Sequence, residues 1–243
     1  MKYLVNILTI FLVSQTFGVF SAQTNSNYKY PTHKFLQSAD SLLCEKDTIN
    51  ALKVLEDFVN KTNITEVTWK SKNACNPITD LINPNSIYAD VCLEITDLSL
   101  RLNKPKNALK YIKKLKDEFF PRSGGCLNGI LMYETKISIY LANYYLHIGQ
   151  KDEAIKTLAE YFIYQEYYSK EATEKLKALL MDEYSLNELR TIVNISIENI
   201  ELDETNRPVI FLFGQRIILW PTSTIKDAKE FCRTNINLNK IIK

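Results

Sequence analysis

Histidine and glycine are scarce in this chain, with two and six respectively in 243 residues. His33 and His147 cannot form a His-Glu-x-x-His zinc helix, which excludes the commonest metallohydrolase site. No Gly-x-Ser-x-Gly elbow occurs. Gly124, Gly125 and Gly129 lack both the Lys-Ser/Thr of a phosphate loop and the spacing of a dinucleotide fingerprint, and read as a helix connector. An excess of one charge is missing too, since 30 Lys and Arg face 28 Asp and Glu for a net +2. That balance argues against a dedicated nucleic-acid binder. Past the first residues no segment is apolar enough to span a bilayer.

The first residues have a clear logic. Lys2 precedes the apolar run Tyr3 to Val13, and the small residues Ser21 and Ala22 close the segment. This reads as a secretory signal peptide over 1–22, because its apolar core falls short of the roughly 20 residues needed to span a membrane about 30 Å thick. The polar run Gln23 to Asn27 then suits the start of an exported chain, periplasmic or extracellular. No cysteine stands at the cleavage point, which argues against a lipid anchor. Loss of Lys2 leaves a net +1. Five cysteines make an odd set, so at least one thiol is free or pairs between molecules. Cys75 and Cys126, in polar non-helical segments, are the disulfide candidates. Cys44 and Cys92 fall in helical patterns and read as buried thiols. Cysteine spacing gives no metal site.

From Thr32 onward helical periodicity dominates. Phe35, Leu36, Ala39, Leu42 and Leu43, then Ala51, Leu52, Val54, Leu55 and Phe58, mark a first helical pair. An insertion near 60–85 follows, rich in Asn and Pro. Ile87, Val91, Ile95 and Leu98 open a second pair, Asn103-Lys104-Pro105 turns it, and Ala108, Leu109, Ile112 and Leu115 close it. A third pair runs through Tyr140 to Leu158, with the aromatic stretch Tyr161 to Tyr168 read as a continuation of its second helix. Helices are expected from Ser169 to about Tyr184 and from Ser185 to about Leu202, the latter opened by a Ser185/Glu188 capping box. Beyond 206 the pattern becomes a β-hairpin turning on Gly214-Gln215, then a helix capped by Thr224. The expected fold is mainly α, a helical-hairpin array over 23–205 with a small hairpin and helix over 206–243.

Leu141-Ala142-Asn143-Tyr144-Tyr145, the Gly149 turn and Ala154 to Leu158 resemble one tetratricopeptide unit, with Ala142 where glycine is usual. Ala51, Ala108 and Ala154 align the three pairs, each followed by apolar residues four and seven positions on. The resemblance implies a binding scaffold whose first helices line a groove. On that pattern Asp40, Asp97, Arg101, Lys136, Asn143 and His147 face a protein or peptide partner.

No catalytic set, cofactor or metal is expected. Cys126 has no base brought near it by the sequence, and the acid pairs suit turns and helix starts. The run Lys104, Lys106, Lys110, Lys113, Lys114 and Lys116 reads as a solvated face, and the tyrosine run as packing. Asn60, Asn63 and Asn194 fit glycosylation acceptors and read as coincidence in an Asn-rich chain. The alternatives are a secreted effector or hydrolase with a site assembled from distant segments, and a periplasmic inhibitory or immunity-type module.

Overall fold

A computed structural model describes residues 34–61, 84–119, 127–164 and 170–236. The expected signal segment, Cys75, Cys126, His33 and most of the 60–85 insertion lie outside those residues. The described chain is mainly helical, with a small three-stranded antiparallel sheet, and divides into two compact units between Phe58 and Val59.

In the first unit α1 (Lys34–Cys44) turns into α2 (Thr48–Lys61). The Asp47 carboxylate starts α2 by accepting from the Asn50 N–H at 3.2 Å and its amide at 2.7 Å. Ala39, Ala51, Leu52 and Leu55 are buried. Cys44 is exposed, contrary to expectation, because it ends α1 on the side away from that apolar stripe.

The second unit begins with α3 (Pro84–Arg101) and α4 (Pro105–Lys113), which runs on as a π turn over Lys114–Phe119. Pro105 starts α4 because a first helical position needs no N–H. Next come α5 (Leu127–His147) and α6 (Lys151–Leu158), tightening into a 3-10 turn over Ala159–Phe162. α5 packs on both α3 and α4, and α7 (Lys170–Glu183) packs on both α5 and α6.

One turn geometry closes all three pairs. Lys46, Asn103 and Gly149 each have positive φ, of 62°, 54° and 76°. The N–H of the next residue then bonds a carbonyl five residues back: Asp47 to Leu42 at 2.8 Å, Lys104 to Ser99 at 2.7 Å, Gln150 to Tyr145 at 2.8 Å. Five residues after each left-handed residue stands a fully buried alanine, Ala51, Ala108 or Ala154. A methyl group there lets the two helices of a pair approach closely.

Ser185 caps α8 (Leu186–Glu198) with the expected box: Ser185 N–H donates to Glu188 Oε2 at 2.7 Å and Glu188 N–H to Ser185 Oγ at 3.3 Å. α8 stops short of the expected Leu202, because Glu201–Leu202 forms β1 beside β2 (Pro208–Leu212), which pairs in turn with β3 (Gln215–Ile218). The hairpin also turns one residue earlier than expected. Leu212 faces Gln215, so Phe213-Gly214 is the turn, both with positive φ (50° and 77°). A phenylalanine is costly in that region, and packing holds it there: its ring lies 5.6 Å from that of Phe162, edge to face, and 6.4 Å from that of Tyr184, stacked. Ile210, Leu212, Ile217 and Leu219 enter one apolar core with Leu158, Phe162, Leu180, Val193 and, from α9 (Ile225–Asn235), Ala228 and Cys232. The hairpin therefore packs on the preceding helices.

Two polar devices finish the sheet. Asp203, its side chain 6% exposed, accepts from the Arg207 and Thr205 N–H groups, the Thr205 hydroxyl and the Arg207 and Arg216 guanidiniums. At the outer edge of β3 the Tyr164 hydroxyl donates to the Ile218 carbonyl at 2.7 Å and accepts from the Trp220 N–H at 3.0 Å. That hydroxyl sits where a fourth strand would bond.

Replacing Tyr164 by Phe leaves both backbone groups without that partner, and should lower unfolding stability by about 1 kcal/mol; an unchanged urea midpoint would refute the role. The Arg207 N–H, with Thr205, holds the Asp203 carboxyl well below its ordinary range. A depressed carboxyl stabilises the fold above its unfolded pKa of about 3.9 and loses that contribution as pH falls below it. D203N should therefore be less stable at pH 7 and show a shallower decline on acidification, read from thermal midpoints between pH 7 and 2.

Candidate functional site

Asp90, Glu94, Asp97 and Arg101 recur at steps of four, three and four, which places them on one side of α3. On α5 the matching side carries Tyr133, Lys136, Tyr140 and Asn143, and on α7 Glu171 and Lys175. The three helices are laid in sequence, α5 between α3 and α7. Tyr140 marks the middle, because besides burial the fields of carboxylates on both neighbours raise its phenol: Asp97, Glu94 and Asp90 on α3 and Glu171 on α7. It is half-buried between its neighbours and keeps part of its surface open to water.

Lys136 Nζ lies 3.5 Å from Asp90 Oδ1 and 5.1 Å from the Tyr133 ring centre, tying α5 to α3. Arg101 Nη2 lies 2.6 Å from Asp97 Oδ2. Burial pushes both aspartates above the usual carboxylate range, and the pull of Lys136 on Asp90, or of Arg101 on Asp97, only partly reverses it. Burial, then the field of four carboxylates, raises the Tyr140 phenol. Burial lowers the Lys175 ammonium, against the attraction of Glu171. Charges kept half-buried in this way carry a cost in solvation.

Asp97 and Arg101 thus share one side of α3, and Lys136 and Asn143 share one side of the adjacent α5. His147 lies at the end of α5, where its Nε2 is 3.0 Å from Asn103 Oδ1 and links the turns of two successive pairs. Asp40 belongs to α1 in the first unit. Asp90, Glu94, Tyr133, Tyr140, Glu171 and Lys175 were not singled out from sequence, although the four-three-four spacing of acids on α3 was there to find. Tyr161 and Tyr164 are packing residues, bonded to Ser138 at 3.2 Å and to the β3 edge. The lysines of α4 and its π turn lie largely outward, with Lys114 paired to Glu118 at 3.4 Å.

Buried Cys92 has its thiol pushed up to about 12 by burial and is inert at neutral pH. Among the described residues no group of three or more His, Cys, Asp or Glu could hold a metal ion, and no helix is long and apolar enough to cross a membrane. No family model, curated protein or solved structure matches the chain.

The raised pKa of Asp97 means that the folded state disfavours its charge relative to the unfolded chain. D97N should therefore raise the thermal midpoint at pH 7, Arg101 being half exposed and able to turn to water. The gain should vanish as pH falls through the carboxylate range, where Asp97 itself becomes neutral. A lower midpoint at pH 7 would show that the ion pair outweighs desolvation.

Proposed function

We propose that this chain is an exported, non-catalytic scaffold of degenerate tetratricopeptide-like helical pairs, binding an extended segment of a protein or peptide partner across α3, α5 and α7. The observation that carries this reading is the half-buried polar face of the adjacent helices α3, α5 and α7 around Tyr140, with Asp97 and Arg101 on α3 and Lys136 and Asn143 on α5. Supporting it, the three pairs share one turn, and Asp40, Asp97 and Asn143 all stand six residues before the left-handed residue, each half exposed. The pairs are spaced irregularly and more widely than the 34 residues of the family, which makes the array degenerate. Export rests on the Lys2 charge, the apolar run after it and the small residues at 21 and 22.

The reading predicts that replacing Asp97, Arg101 and Asn143 together leaves the far-UV circular dichroism unchanged and removes the partner recovered by the wild-type chain in affinity capture from its native compartment. Recovery of the same partner by the triple variant would overturn the assignment of the face.

A further inference from the structure

The polar face of α3 and α5 contains one arrangement of side chains twice. In the first, Asp90 on α3 and Tyr133 on α5 hold the chain's own Lys136: the ammonium is 3.5 Å from the carboxylate and 5.1 Å from the ring centre. Seven residues further along both helices stand Asp97 and Tyr140. α3 and α5 run in the same sense, since Lys136 meets Asp90 and, near the helix ends, His147 meets Asn103. Two helical turns on, the carboxylate and the tyrosine therefore return together. The third member does not. Seven residues after Lys136 comes Asn143, a neutral amide with a short stem.

Carboxylates on two different helices act on the second cradle. The field of Glu171 acts on Tyr140 from α7, and those of Asp97, Glu94 and Asp90 act on it from α3. Against these stand Lys136, held by Asp90, Lys175, whose ammonium burial disfavours, and Arg101, paired with Asp97 along the same helix and half exposed. The Arg101 guanidinium is half exposed and can turn to water, leaving the Asp97 carboxylate to an incoming cation. A carboxylate beside a tyrosine face is a recognised seat for an ammonium or guanidinium, and Lys136 shows one filled in this molecule.

We propose that Asp97, Tyr140, Asn143 and Glu171 form a subsite for one lysine or arginine side chain of the bound peptide, whose cation takes the place that Lys136 fills two turns away. This rests on reading the face as a peptide groove. The occupant enters where Asn143 leaves room, with its charge between the α3 and α7 carboxylates and its alkyl stem along Tyr140.

The intact chain would be panned against a random linear decapeptide library, and the strongest sequence resynthesised with each Lys or Arg changed to Gln. The expected result is a basic residue enriched at one position, whose loss weakens binding roughly tenfold by fluorescence anisotropy, with affinity falling as salt rises. N143K supplies the missing ammonium from within. It should remove the preference for a basic residue while the far-UV circular dichroism stays unchanged, Lys136 being accommodated at the equivalent position. D97N/E171Q should remove the same preference by deleting the attraction. Selection of peptides without a basic residue, still released by the Asp97, Arg101 and Asn143 triple variant, overturns the cation subsite and leaves the groove standing. No enrichment over background overturns both.

Discussion

In the second unit the close approach of paired helices at Ala108 and Ala154, the positions that Ala51 matches in the first, is the contact on which the rest depends. None of the three exposes any surface. In the second unit α4 and α6 lie against the helices before them at this point, and α5 and α7 are positioned by packing on both members of the preceding pair. A larger side chain at Ala108 or Ala154 would wedge a pair apart, and interiors do not absorb such volume without displacing helices. The reach of Lys136 to Asp90 and the flanking of Tyr140 by α3 and α7 would both move. The polar face has no rigid support of its own and inherits its geometry from methyl groups on the far side of the helices.

Opposite electrostatic situations occur within one short chain. Asp203 is surrounded by donors that exist only in the folded turn, and its charge belongs to the fold. Asp90 and Asp97 keep their charges in a place that disfavours them, with partners that compensate only in part. The first arrangement ties β1 to β2 and β3 and is satisfied internally. The second leaves charges whose loss of hydration is offset only in part.

What could be read from the sequence was local. Pro105, the Ser185/Glu188 box and Thr224 announce helix starts through bonds that span three residues, and each start falls within a residue or two of where those signals place it. The alanine register was legible for the same reason, as a pattern within each pair. What escaped depends on distant partners. A two-residue strand at Glu201–Leu202 has no period to detect and exists only because β2 lies beside it. The Phe213 turn contradicts the residue's own backbone preference and is held by Phe162 and Tyr184. Cys44 was misplaced because a helix end can rotate off the apolar stripe. In the candidate site Asp97 and Asn143 followed from the register, whereas Tyr140 and Glu171 gain meaning only when three helices are side by side.

The left-handed residue at each helix turn bears on how such a structure is recorded in its sequence. The same backbone angle is set by a lysine, an asparagine and a glycine, at Lys46, Asn103 and Gly149. Glycine adopts it freely, asparagine readily and lysine only under tertiary persuasion. The information for the bend is thus carried by hydrogen bonds and by the alanine five residues later, and hardly by the letter at the bend itself. A chain built this way can repeat its geometry faithfully while its text repeats very little, so the shape outlives the spelling.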